Sequence, residues 1–234
     1  MSLPVSLPDY LNRERWQHAQ DAELEWWRNW SRLPFYEGHS FADYWNGVVS
    51  DFVDPDSVSG TVVEVGSGPH GVVRYLFNNA RFKLGMDPLL HKFDEASSPE
   101  TRTSYAAAVG EMIPVRDDAA DLVVCINVLD HVMDAHEILL EIRRILKPRG
   151  KLILEVHTFP RVLASLMFFD SPHTYHWSRA NVTQMVRKAG YRILGTRVHE
   201  FPAKLHLLSA LKPSGWKYLF GKLFMELSYF YCER

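Results

Sequence analysis

The stretch Thr61-Val-Val-Glu-Val-Gly-Ser-Gly-Pro-His-Gly71 constrains this chain more than any other. An apolar run carrying one acid, Glu64, breaks into a turn with Gly66, Gly68 and Gly71, and Val72-Val-Arg-Tyr-Leu76 resumes beyond it at helix-compatible spacing. The segment reads as strand, glycine turn and helix start, the layout of a nucleotide-type cofactor site. Glycines at such a turn let a ligand approach the backbone and permit positive φ. The helix N-terminus beyond offers unpaired N–H groups to a negatively charged group. Gly66-x-Gly68-x-x-Gly71 also matches the dinucleotide fingerprint, and a tight structural turn with no ligand stays open. Glu64, two residues before the first glycine, suits a ligand with a cationic amine better than a pyrophosphate.

With 234 residues the chain is long enough for one α/β domain and a modest appendage. A hydrophobic content of 47% with 23% charged residues is that of an ordinary globular protein. The formal net charge of −2 argues against wholesale nucleic-acid binding. Two cysteines, Cys125 and Cys232, suit a reducing compartment without a disulfide framework. The N-terminus lacks the basic and long apolar regions of a secretory signal. No apolar run approaches the roughly 20 residues that span a bilayer, so a cytoplasmic protein without stable membrane insertion is expected. Of seven tryptophans, Trp16, Trp26, Trp27 and Trp30 sit in the first helix, either as a lid or docking surface or packed on the core.

Along the chain, helices are expected over residues 9–31 and from Ser40, as N-cap, to about Phe52. Pro55, Asp56, Ser57 and Gly60 mark a turn, which places a boundary between an N-terminal helical cap (1–57) and the core (58–234). Strands are expected at Thr61–Val65, Phe82–Met86, Tyr105–Val109, Asp121–Ile126, Lys151–Val156, Tyr191–Val198 and Leu227–Cys232. Helices fall between them at Gly71–Asn78, Ala135–Leu146 (stopped by Lys147-Pro-Arg-Gly150) and Ser178–Ala189. Continuous apolar strands separated by helices mean a parallel, doubly wound sheet with ligands beyond its carboxyl ends. An insertion at about 200–226 carries Trp216, Leu219, Phe220, Leu223, Phe224 and Leu227 on one helical face, most simply as core. A membrane-surface or acceptor face stays open there.

Taken in order, Val63-Glu-Val-Gly-Ser-Gly68, Gly85-Met-Asp-Pro88, Gly110-Glu-Met-Ile-Pro-Val-Arg-Asp-Asp-Ala-Ala-Asp-Leu-Val-Val124, Asn127-Val-Leu-Asp-His131 and Leu146-Lys-Pro-Arg-Gly-Lys-Leu152 form a set. Through that set the chain, over about residues 58–200, resembles the class I S-adenosylmethionine-dependent methyltransferases of the small-molecule branch. The resemblance implies a Rossmann-like sheet of seven strands, mostly parallel, with one antiparallel strand near the C-terminus. It implies S-adenosylmethionine as cofactor, with Gly66, Ser67 and Gly68 along its methionine part and Glu64 on its ammonium. Asp87, followed by Pro88, would take the ribose hydroxyls, since two acceptor oxygens suit a vicinal diol. Gly110, Glu111 and Met112 would line the adenine, and Asn127 and Val128 would lie under the methionine portion. Val109 departs from the family, standing where many relatives carry an Asp that reads the adenine amine; Glu111 or backbone groups are the substitutes.

Methyl transfer needs mainly a nucleophile held close and in line with the methyl. A general base helps when a hydroxyl proton must leave. His131 and His157 follow the fourth and fifth strands and are the candidate bases, although a buried hydrogen-bonding role for His131 stays open. Tyr175 and His176 are candidates for the acceptor wall. A metal site built from His173, His176, His157 and Asp170 is not expected, because its ligands would come from an irregular loop with no Cys. The expected activity is methylation, at oxygen, of a small-molecule or glycan-like acceptor. An NAD-dependent oxidoreductase and a non-catalytic protein on the same scaffold are the alternatives.

Overall fold

The computed structural model describes residues 9–29, 40–93, 102–164, 173–200 and 224–234. Strands β1 (Thr61–Val65), β2 (Phe82–Met86), β3 (Ser104–Ala106), β4 (Ala120–Ile126), β5 (Leu146–Thr158), β6 (Arg192–Glu200) and β7 (Glu226–Glu233) form one sheet. Their order is β3-β2-β1-β4-β5-β7-β6. The pairs among β1 to β5 are parallel. β7 lies antiparallel to both β5 and β6, so it alone runs against the other six. The chain steps outward from β1 to β3 and then returns to place β4 beside β1. That reversal opens a crevice beyond the carboxyl ends of β1 and β4.

Alternation along the buried strands sends successive side chains to opposite faces. Val63, Val65, Val123, Cys125, Leu152 and Leu154 share a core with Ile138, Leu139, Ile142 and Ile145 of helix α4 (Ala135–Ile145) and with Val182, Met185 and Val186 of helix α6 (Arg179–Lys188). On the other face Val62, Leu122, Val124 and Ile153 meet Val49 of helix α2 (Phe41–Val49) and Val72, Val73, Leu76 and Phe77 at helix α3 (Val72–Tyr75). Helix α1 (Asp9–Asn29) precedes these, and the short α5 (Arg161–Ala164) follows β5.

The expected caps are present. Ser40 accepts from the Asp43 N–H at the start of α2, and Ser178 accepts from the Asn181 N–H at the start of α6. Gly190 follows α6 at φ +89°. Several boundaries differ from expectation by one to five residues, α2 among them, which ends at Val49 rather than about Phe52. α3 is one turn long rather than reaching Asn78, because Leu76 is extended and Phe77 turns to φ +58°, which takes its ring fully into the core. β3 ends at Ala106, short of Val109. β5 begins at Leu146, with the Lys147–Gly150 segment as an irregularity against β4, and β7 pairs along it from Lys151 to Thr158.

Among the described residues no helix is long and apolar enough to cross a membrane. The apolar stripe Trp216, Leu219, Phe220 and Leu223, with Trp30 and Asp170, lies outside the described residues.

Candidate functional site

The glycine turn is built onto the tip of β2. The N–H groups of Gly66 and Ser67 both donate to the Met86 carbonyl, at 2.8 and 2.9 Å. Gly66 (φ +74°) and Gly68 (φ +50°) both need left-handed backbone. A Cβ on Gly66 would meet Val128 Cγ2 at 2.3 Å. The Gly68 N–H donates to Asp87 Oδ2 (3.0 Å) and the Leu89 N–H to Asp87 Oδ1 (2.7 Å). Asp87 thereby ties β1's turn to the chain leaving β2, with Pro88 half-buried beside it. Burial, with some help from the Glu23 charge, pushes its carboxyl up to about 6 against the pull of those two N–H groups.

The two oxygens of Glu64 accept the N–H groups of Val72 and Val73, each at 2.9 Å, so it caps α3 from beneath the turn. A contact with a cofactor ammonium, as expected of Glu64, would have to share these oxygens with the cap. Gly71 is explained by the same cap, since a Cβ there would stand 2.5 Å from Glu64 Oε2. Burial outweighs the two N–H donors and raises the Glu64 carboxyl to about 8.

The turn is covered. α1 lies across the carboxyl edge of the sheet, with the Trp27 indole against Gly68 and near His70 and Phe93. Gln20 donates to the His131 carbonyl at 3.2 Å, and Glu23 Oε2 stands 3.9 Å from His131 Nε2. Of the two adjacent tryptophans, Trp27 is the covering residue and Trp26 is 40% exposed. α2 buttresses the other side: Phe41 stacks on His70 at 4.3 Å, and Trp45 Nε1 donates to the His70 carbonyl.

The expected adenine wall is only partly assembled. Gly110 packs under Ile138, where a Cβ would come within 2.1 Å. Glu111 Oε1 accepts the N–H groups of Met133 (2.8 Å) and Asp134 (3.2 Å), which ties it to the loop before α4 rather than to a base edge. Met112 is 75% exposed. Asn127 ends β4 at φ +55°, with its Oδ1 buried and lacking a hydrogen-bond partner among the described residues. This orphaned amide oxygen, and the backbone of Gly66 and Gly68 beneath Trp27, are features a polar amino-acid-like ligand can use.

At the carboxyl ends of β4 and β5, with His157 within the β5 ladder rather than after it, lies a cluster centred on a residue the sequence did not single out, Asp130. It is 3% exposed, and His131, His157 and His173 all approach its carboxylate, at 3.7, 3.9 and 4.0 Å. Burial alone would raise Asp130, but the three imidazoles outweigh it and hold the group below its ordinary range. His157 also stands 3.9 Å from buried Glu155, whose carboxyl is raised to about 8 by burial and then by the Asp130 charge. Burial brings His157 down to about 4, against the upward pull of Asp130. The two candidate bases thus share one acid.

The segment 173–177 reaches this cluster because Thr174 and Tyr175 N–H groups donate to the Asp130 carbonyl (2.7 and 3.4 Å) and Trp177 Nε1 donates to that of Leu129. Tyr175 faces inward: its hydroxyl donates to the Met133 carbonyl and its ring stacks on Trp177 at 5.1 Å. It is thus a packing residue rather than an acceptor wall. His176, half-buried, lies between the rings of Phe159 (6.0 Å) and His173 (5.9 Å). An acid preceding His131 was the available signal for Asp130, but its meaning depends on His173, brought from far along the chain.

Residues 63–154 match the family described as Methyltransferase domain. A 58-residue stretch is 47% identical to an uncharacterized protein of Methanocaldococcus jannaschii, and it spans 25% of each chain. Among solved structures, the fold is similar to an S-adenosylmethionine-dependent methyltransferase from Listeria monocytogenes, with a TM-score of 0.60 and 17% identity over 82% of this chain and 99% of that one. It is likewise similar to the Haloferax volcanii complex of the Trm112 methyltransferase activator with a methyltransferase, with a TM-score of 0.64 and 19% identity over 93% and 96% of the two chains. By that match and this sheet order, residues 63–154 carry a methyltransferase domain, in a fold shared with S-adenosylmethionine-dependent methyltransferases.

Proposed function

We propose that the chain methylates an oxygen of a small-molecule or glycan-like acceptor, taking the methyl from S-adenosylmethionine. The observation that carries the oxygen assignment is the grouping of His131, His157 and His173 around buried Asp130, at the carboxyl ends of β4 and β5. A hydroxyl nucleophile must lose a proton as it attacks, and imidazoles beside a buried carboxylate are suited to accept it. Bound at the glycine turn, the cofactor supplies an electrophilic methyl on a sulfonium. Gly66, Ser67 and Gly68 present backbone to its methionine part, Asp87 with Pro88 faces its ribose, and Asn127 and Val128 support it from β4. His131 or His157 would take the acceptor proton, and the cofactor, when bound, would supply the methyl and leave with the C–S electron pair on its sulfur. The helices before residue 58 act as a cap on the core, in keeping with α1 over the turn and α2 against His70. The buried free thiols of Cys125 and Cys232 suit a cytoplasmic setting.

Calorimetry with S-adenosylmethionine, its demethylated product and NAD, each separately, tests the cofactor reading: the first two bind and NAD does not. A radiolabelled-methyl screen across hydroxyl, amine and carbon acceptors tests the oxygen assignment. Transfer confined to amines or carbon would overturn it.

A further inference from the structure

We infer that Asp130, His131 and His173 form a site for one divalent transition-metal ion of the Zn2+, Fe2+ or Co2+ class, with His157 as an adjoining fourth donor. One ligand atom from each of the first three lies within 4.8 Å of the others. Around an ion with bonds of about 2.0–2.1 Å, tetrahedral ligand atoms stand roughly 3.3 Å apart. The observed approaches of 3.7, 3.9 and 4.0 Å to the Asp130 carboxylate are too long for hydrogen bonds and close to that spacing. Small side-chain adjustments would close the site on an ion.

The second observation is an unmet demand for positive charge. Asp130 Oδ1, buried at the centre of the cluster, has no hydrogen-bond partner among the described residues. A buried carboxylate held ionised is costly without a compensating cation. The Nδ1 of His131 is also buried without a partner among the described residues.

The scaffold is rigid where it needs to be. Asp130 and His131 leave β4 in sequence, and His173 is held opposite by the Thr174 and Tyr175 N–H groups on the Asp130 carbonyl. Two imidazoles and a carboxylate favour borderline ions over Mg2+ or Ca2+, which take oxygen ligands, and they leave coordination positions for water or an acceptor oxygen. This runs against the sequence expectation of no metal, which considered a set through Asp170 and rejected it for its irregular loop and lack of Cys. The site does not depend on the methyl-transfer reading, and its test needs no turnover; in the loaded chain the ligated imidazoles could not act as the base, and the ion would instead lower the pKa of an acceptor hydroxyl bound to it.

The full chain, treated with chelator and dialysed, is titrated with Co2+ by absorption and with Zn2+ by calorimetry. Both ions saturate at one per chain, and Mg2+ does not compete. Asp130→Asn and His173→Gln, each checked for folding by circular dichroism, weaken binding by more than the roughly 10–100-fold that loss of an outer-shell partner costs. His199→Gln, at an exposed histidine near Asp51, leaves it unchanged. In Cu2+-loaded wild type, pulsed electron paramagnetic resonance shows at least two coordinated imidazoles, a readout that stands even where a variant fails to fold. The absence of saturable binding, binding unmoved by both cluster variants, or a single imidazole overturns the proposal.

Discussion

The indole of Trp27 rests against the α-carbon of Gly68, so close that a Cβ built on the glycine comes within 2.9 Å of Trp27 Cζ2. A ligand approaching the turn's backbone meets Trp27 first, so binding S-adenosylmethionine has to displace the indole. Tryptophan emission therefore changes on titration with the cofactor. Trp27→Phe loses most of that change while calorimetric binding persists; an undiminished signal would show that α1 does not cover the ligand. Gly68→Ala, forced to φ +50°, costs about 1–2 kcal/mol, or roughly 2–4 °C in Tm per kcal/mol for a chain of this size.

Asp87 holds two N–H groups, those of Gly68 and Leu89, one on each oxygen. Asp87→Ala removes both acceptors and the proposed ribose contact, and cofactor affinity falls by about tenfold or more, as expected for hydrogen bonds to a charged group. Asp87→Asn keeps one acceptor oxygen and falls between. Equal affinities for wild type and Asp87→Ala in calorimetry would remove the ribose assignment.

Glu64 acts as a cap, so its loss is felt in folding before it is felt in binding. Glu64→Ala strands two buried N–H groups at about 1–3 kcal/mol each. Glu64→Gln retains one acceptor and costs less. Urea unfolding measures both, and equal losses for the two variants would contradict the cap.

At the far end of the sheet Glu233 of β7 is paired with Lys151 of β5 and Arg192 of β6. Hydrogen bonds to these two cations lower its carboxyl to about 2 from 4.5. A folded-state value below the unfolded one means that the stabilisation is fully present above pH 4.5 and is lost as pH falls through 2. Glu233→Gln is therefore less stable than wild type at neutral pH, and the gap closes towards pH 2. A gap that stays constant across an acid unfolding series would show that the pair contributes nothing through ionisation.

Strands β1 and β2 were legible to the residue because apolar runs meet glycine or an Asp-Pro at their ends, and the caps at Ser40 and Ser178 because one side chain decides them. α3 was overestimated because the burial of Phe77 is a tertiary preference that local helix spacing cannot report. The glycine turn was legible as a strand-to-helix turn, but the partner of Glu64 was not: an acid before a glycine turn serves a bound amine or the next helix equally well in one dimension. The Asp130 cluster was the least legible part. His173 follows it by more than forty residues with no periodic signal between them, and the two meet only because backbone N–H groups of 174 and 175 find the Asp130 carbonyl.

β7 occupies an interior lane of the sheet although it is the last strand made. During synthesis β1, β2, β4 and β5 can assemble while the lane between β5 and β6 stands vacant, leaving the β5 ladder beyond Lys151 open to any extended peptide nearby. A ribosome paused before residue 226 would thus hold out a half-sheet with a sticky flank, and nascent-chain crosslinking should find chaperones gathered there until the closing strand emerges.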